Sequence, residues 1–498
     1  MSKYISILAG LALLLVSCQN WGNTGLPDDF SEKLLTLHPF DTSYQIKAYR
    51  NEHFPEVEAD IRILVNLDAQ LKNYQGHQSI FLKNRTIHPW ESVGFYLYPN
   101  FVKGKLDVTE VKLGGKRIEY KIKNAVLTVN FPVPLMPGSI LKLDLLFAGS
   151  LPEACFGSAA LSSNGDTFFM GGFYPEIIPH QENGSWRTID PQIHGDPPEN
   201  PLAIYSVVLT APKGLEIASS GLLQKSKIDG NQQEYLMVSG PVRDFIVAGS
   251  FKWNKISIEK KGITVNSFYP EKSVLQAVKG AYTALDALSI FSKKFGNYPY
   301  YEIDLVGQKF ESRRLGMEYP GVLVVLDGAY DPDGKHWGYS TDFMMEFVTA
   351  EETAHQWFYN MVGNNTFEEP WIDETFTHYA IWLYYNSKYG KSKGNWIYSF
   401  FENRWRRIGR KKIPLNTPSD QLSPTNYYSI IQGRAVLFLF DMELKFGQQS
   451  FDKFLESYIK EYQWKSITSE KLNQLVTRSF GEAGNKMYRE WVYGEKIK

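Results

Sequence analysis

At 498 residues the chain is too long for one hydrophobic core, so two or three domains are expected. Its 43% hydrophobic and 21% charged content is ordinary for a folded globular protein. A formal charge of −1 supplies no field for nucleic acid or for an anionic membrane surface, so nucleic-acid partners are excluded as a working assumption. The aromatic share of 15% points to large packed interfaces or lined clefts.

The chain opens with Lys3 and an apolar run from Ile5 to Val16, too short to span a bilayer but suited to a signal-peptide core. The run ends at Leu15-Val16-Ser17-Cys18, which resembles a bacterial lipobox. Residues 1–18 are therefore expected to be a lipoprotein signal with Cys18 the acylated residue, and 19–44 a polar tether. The protein would then be a lipoprotein of the bacterial cell envelope, held to a membrane outside the cytoplasm. The alternative is an ordinary secretory signal in which Cys18 is incidental. With Cys18 acylated, Cys155 has no partner for an intramolecular disulfide.

From 45 to 258 short alternating runs such as Ile61–Leu67, Ser92–Tyr98, Ile140–Phe147 and Tyr205–Thr210 lie between turn signals, including Gly114-Gly115, Pro137-Gly138 and Asn164-Gly165. That pattern predicts an N-terminal all-β domain. Residues 259–498 change to helical spacing after a strand near Ile263. Val274, Val278, Tyr282, Leu285, Leu288 and Phe291 predict one helix over Ser273–Phe295, stopped by Gly296 and Pro299. A second is expected from an N-cap at Thr341 or Asp342 to Gly363, and a third from Pro370 to Gly390. Further helices are expected over Gly433–Phe446 and Ser450–Tyr462.

The second helix carries Glu351-Glu352-Thr353-Ala354-His355. Metal-binding HExxH helices place two imidazoles one turn apart with a glutamate base between them. Here Glu351 and His355 share a face, Glu352 is turned about 100° from Glu351, and Glu351 stands where the first histidine would be. Glu374, 18 intervening residues after His355, lies on the next helix and would complete three ligands. Taken alone, an ExxxH pair on a helix is more often structural than metal-binding.

These segments, with Gln356-Trp357 and Trp371-Ile372-Asp373 beside them, resemble the M1 (gluzincin) metallopeptidases, the family of aminopeptidase N. Gly316-Met317-Glu318-Tyr319-Pro320 is similar to the family's GxMEN element, with Tyr319 replacing Asn; Phe295–Tyr300, Phe173-Tyr174-Pro175 and Trp186 match elsewhere. The resemblance spans about 45–498 and implies a thermolysin-like α+β catalytic domain, mainly helical towards its C-terminus. It implies no large C-terminal helical domain of the kind full-length relatives carry, and hence a more open cleft.

Residue by residue, the resemblance implies Glu352 as general base, and His355, Glu374 and Glu351 as the ligands of one zinc ion. Gly316, Met317 and Glu318 would bind substrate, Glu318 holding the α-amine of a peptide or protein N-terminus. A core salt bridge from Glu318 to Arg313 or Arg314 is the structural alternative. Two departures bear on activity. Glu351 adds a second anionic ligand, which weakens an ion's polarising power. Ile430 occupies the position of the family's oxyanion-binding tyrosine, a loss worth about 10²–10³ in turnover. His378, four residues beyond Glu374, is expected to contact Glu351 from behind, or else to pack among Tyr379, Trp382 and Tyr385. The sequence thus supports a membrane-anchored aminopeptidase-type metallopeptidase with impaired activity, or an inactive peptide-binding module on the same fold.

Overall fold

The computed structural model describes residues 34, 38–43, 45–51, 53–155, 160–180, 186, 199–311, 314–336 and 338–495. The signal segment and Cys18 lie outside the described residues, as does Arg313. Among the described residues, no helix is long and apolar enough to cross a membrane.

The alternating runs of the first half form β-structure. Ala59–Leu67 is central in an eight-stranded sheet, pairing antiparallel with Asn73–Lys83 and parallel with Ala203–Pro212. Two four-stranded sheets accompany it, built around Trp90–Tyr96 and Thr167–Gly171. Ile61, Ile63, Val65, Val207 and Leu209 are fully buried and share one core with Phe168 and Met170 of the smaller sheets. The all-β character predicted from turn spacing is present.

A second, five-stranded sheet runs in the order Trp253–Lys260, Ile263–Pro270, Glu302–Gln308, Val322–Leu326, Gly316–Tyr319. Its three central strands are parallel and its two edges antiparallel. The expected domain boundary between 258 and 259 falls inside Trp253–Lys260, whose hydrogen-bonded partner belongs to this second sheet. Helix α1 (Val274–Phe295) makes the crossover between Ile263–Pro270 and Glu302–Gln308.

The packed face of α1 differs from the expected one. Val274 and Tyr282 are exposed, whereas Ala277, Gly280, Ala281 and Ala284 are buried. A stripe of small residues lets the helix approach its neighbours: a Cβ on Gly280 would stand 2.4 Å from Leu305 Cδ2 and 3.0 Å from Met345 Sδ. Size complementarity, rather than the large apolar residues alone, selects the buried face.

Helix α2 (Thr341–Ala354) is capped by Ser340, whose hydroxyl accepts from the Phe343 N–H at 3.3 Å. It ends at Ala354, not at Gly363 as its sequence suggested. Tyr359 adopts φ 130°, and Val362–Asn364 leaves to pair with Lys465–Ile467. Arg243 of the β domain takes the carbonyls of Tyr359 and Asn360, at 2.8 and 3.1 Å, and so fixes the turn that follows the helix. Helix α3 (Trp371–Tyr389) follows Pro370 as expected, then α4 (Lys391–Arg406) and α5 (Pro424–Ser429). A π-turn over Ile430–Arg434 leads into α6 (Ala435–Phe446), which starts two residues after the expected Gly433. Helices α7 (Gln448–Tyr462) and α8 (Ser469–Val492) complete the chain.

Candidate active site

The edge strand Gly316–Tyr319, the last turn of α2 and the first turns of α3 bring the sequence-predicted residues into one region. Glu318, Glu351, Glu352, His355 and Glu374 are all buried, each 8% exposed or less. Their placement on the helices carries a cost on one side and a gain on the other. Glu351 and Glu352 sit at the C-terminal end of α2, where the helix dipole opposes negative charge; Asp373 and Glu374 occupy the favourable first turn of α3. Five buried carboxylates, counting Asp373, surround a region whose nearby buried cationic or imidazole groups include His355, His378 and Arg404.

Glu352 lies directly over the edge strand. A Cβ built on Gly316 would stand 2.0 Å from Glu352 Oε1, so glycine is required there for the Glu352 carboxylate to occupy its position. Gln356, one residue past His355, ties α2 to the same strand: its Nε2 donates to the Tyr319 carbonyl at 3.1 Å, and its Oε1 accepts from the Gly321 N–H at 2.9 Å. Tyr319, the residue that departs from the GxMEN pattern, turns towards the β domain and accepts from the Ala160 N–H at 3.0 Å. Arg314 directs a guanidinium nitrogen to Met317 Sδ at 3.7 Å.

The predicted ligands fall into two groups. The ligand atoms of Glu351, Glu374 and His378 lie within 4.8 Å of one another, and so do those of His355, Glu318 and Asp373. His355 Nδ1 stands 2.9 Å from the Phe358 carbonyl and 3.2 Å from Thr377 Oγ1. A carbonyl only accepts, so Nδ1 carries the proton and Nε2 presents a lone pair. His378 is in the opposite state. Its Nε2 faces Glu351 Oε1 at 3.1 Å and Glu374 Oε2 at 3.6 Å, while its buried Nδ1 has no hydrogen-bond partner. Nε2 is therefore the protonated nitrogen, donating to Glu351.

Burial holds the His378 imidazole down to about 4, against the pull of Glu351. Burial is the largest influence on Glu351 and pushes it upward, but the His378 hydrogen bond and the charges of His378, Arg404 and His355 together outweigh it, and the carboxyl ends below its ordinary range. A neutral imidazole beside an ionised Glu351 describes the pair at neutral pH, because an imidazolium here would be fully buried and repelled by Arg404.

The π-turn supplies a further partner that the sequence pattern did not reveal. Gln432 Nε2 donates to Glu374 Oε1 at 3.1 Å. Arg404 supports the turn by donating to the Gln432 carbonyl at 2.6 Å, and a Cβ on Gly433 would stand 2.7 Å from Arg404 Cβ. Ile430, expected at the oxyanion position, is fully buried and apolar. Tyr428 lies 4.6 Å from the Arg404 guanidinium, ring centroid to carbon, and so is engaged by that cation.

A tetrahedral zinc site needs ligand atoms about 2.0–2.2 Å from the ion, each offering a lone pair, and a ligating imidazole hands its other N–H to an acceptor. His355 meets the second condition but belongs to the other group from Glu351 and Glu374. His378 is in the right group but presents a proton. As placed, these residues do not fit a single zinc ion.

Comparison with known proteins places this geometry in a family. The peptidase family M1 domain matches residues 281–491. "Aminopeptidase 2" of Candida albicans is 23% identical over 408 residues, covering 78% of this chain and 42% of the relative. "Aminopeptidase B" of Rattus norvegicus is 23% identical over 303 residues, covering 57% and 43%. The chain thus spans less than half the length of either. The crystal structure of an M1 zinc metallopeptidase from Deinococcus radiodurans superposes with a TM-score of 0.65 at 20% identity, covering 89% of this chain and 95% of that one. A mutant of that enzyme has been crystallised with a Tyr-Ser-Ala substrate. The N-terminal β domain, the helical second half and the matched domain agree: residues 281–491 carry a peptidase family M1 domain, and the chain has the fold of a two-domain M1 zinc metallopeptidase.

Proposed function

We propose that this chain receives peptide or protein N-termini in the manner of an aminopeptidase, with hydrolysis impaired so that binding is the retained activity. The observation that carries the reading is Glu318, a buried carboxylate on the edge strand in the same region as Glu352. An ammonium at a peptide N-terminus forms a charge-assisted hydrogen bond with such a carboxylate. The surrounding carboxylates favour a cation over an anion in the same place. Impaired hydrolysis is supported by Ile430, which offers no donor to an oxyanion, and by the split ligand set.

A second reading, a working metallopeptidase, draws on two features: Glu352 is in the position of the general base, and the Nε2 of His355 presents a lone pair. That reading requires His355, Glu374 and Glu351 to come together around one zinc ion, which their present placement in two groups does not provide. We further propose an extracytoplasmic membrane location through acylated Cys18, which fits a protein that samples peptides outside the cytoplasm.

The test is calorimetric binding of a free-amine tripeptide and its N-acetylated form to the full chain, beside an aminoacyl-amide hydrolysis assay. Binding of the free amine alone, abolished by Glu318→Gln, with little or no hydrolysis, is expected. Equal binding of both peptides would contradict recognition of the amine. Turnover lost on Glu352→Gln would establish the second reading instead.

A further inference from the structure

We infer that the place of the family's zinc ion is closed in this chain by an internal hydrogen-bonded clamp made of His378 and Gln432. The inference rests on the M1 reading of the site and concerns what holds Glu351 and Glu374 together.

Two buried carboxylates facing each other need a positive or donating group between them, or their charges oppose burial. In the family that group is a metal ion. Here the Nε2–H of His378 lies between them, 3.1 Å from Glu351 Oε1 and 3.6 Å from Glu374 Oε2. Gln432 donates its amide N–H to the other oxygen of Glu374 at 3.1 Å. Both donors are held in place from outside the pair. His378 is fully buried with its ring 4.8 Å from that of Phe401, and the Gln432 backbone is fixed by Arg404, itself packed over Phe400 at 4.7 Å.

The tautomer decides between a clamp and a shifted metal site. Were His378 a ligand, Nε2 would give its lone pair to the ion and Nδ1 would bear the proton. That Nδ1 is buried with no hydrogen-bond partner, and a buried N–H left unsatisfied is costly. With the proton on Nε2, the N–H is satisfied by Glu351 and the Nδ1 lone pair is the group left bare. The clamp also accounts for the change at position 351. A histidine there would offer His378 Nε2–H a single ring nitrogen, whereas a carboxylate accepts readily. Glu351 and His378 therefore form one device, an acid on α2 and its donor on α3.

The test is zinc titration of the full chain and of His378→Ala, followed by calorimetry and thermal unfolding. Wild type is expected to show no saturable zinc binding at micromolar zinc and no zinc-dependent change in Tm. His378→Ala is expected to unfold several degrees lower without zinc and to regain stability when zinc is added, because Glu351 and Glu374 then lose the His378 N–H that lies between them. His378→Gln, which keeps an N–H donor, is expected to unfold near the wild-type temperature and still to ignore zinc; it decides the matter if His378→Ala does not fold. Stoichiometric zinc retained by wild type through dialysis would overturn the clamp, as would a His378→Gln variant that takes up zinc as wild type does not. Peptide binding measured on the same samples separates the two claims. Zinc uptake by wild type removes the clamp without touching amine recognition, and loss of amine-dependent binding with no zinc uptake does the reverse.

Discussion

Gly316 and Glu352 meet so closely that neither residue can be understood alone. The Glu352 carboxylate can lie over the edge strand only because position 316 has no side chain, its nearest oxygen being 2.0 Å from where a Cβ would go. Gly316→Ala is therefore expected to displace Glu352 and disturb the adjacent Glu318. Affinity for a free-amine peptide should fall by about tenfold, or ~1.4 kcal/mol, with a smaller effect on folding. Calorimetry against wild type checks this; unchanged affinity would show that the close approach is incidental. The same scale shows what a motif conveys and what it omits. The register of Glu351, Glu352, His355 and Glu374 was legible because helix geometry fixes which residues share a face. Which nitrogen of His378 carries the proton was not legible, since it depends on atoms from two helices and a π-turn.

At the level of elements, α2 is held to the edge strand by Gln356, which satisfies one carbonyl and one N–H of the Tyr319–Gly321 turn. Gln356→Leu leaves both groups buried without that partner and should lower stability on the order of 2–4 kcal/mol. Urea unfolding measures it, and a change under about 0.5 kcal/mol would contradict the tie. Element existence was readable from sequence more securely than element ends. Ser340, Pro370, Gly390 and Gly447 punctuate their helices locally. The end of α2 at Ala354 was hidden because the turn after it is fixed from a distance, by Arg243 on the Tyr359 and Asn360 carbonyls and by the pairing of Val362–Asn364 with Lys465–Ile467. The buried face of α1 was hidden for a similar reason: its small residues are chosen by Leu305 and Met345 across the interface.

On the scale of the whole molecule, the β domain and the helical half are joined through a buried polar seam. Arg243 pairs with Glu199 at 2.6 Å and also donates to the Lys465 carbonyl at 2.9 Å. Its neighbour Asp244 accepts from the Tyr359 hydroxyl. Burial pushes Asp244 up to about 7, despite Tyr359 and Arg243, and pushes Glu176 up to about 8 with Asp244 adding. Both folded-state values exceed the unfolded ones near ~4, so between those limits the folded state binds more protons. Stability from these groups is accordingly full below about pH 4 and falls as pH rises to 7–8. Asp244→Asn, which still accepts from Tyr359, is expected to reduce the fall in Tm between mildly acidic and alkaline buffer; an unchanged slope would locate the pH dependence elsewhere.

On the proposed reading, an M1 fold has kept amine recognition while closing the place of its ion. Calorimetric titration of the full chain with a free-amine tripeptide, with and without a strong chelator, tests that claim most directly. Equal affinity in both conditions, lost on Glu318→Gln, is the predicted result. Binding or turnover that disappears with chelator and returns with added zinc would contradict it.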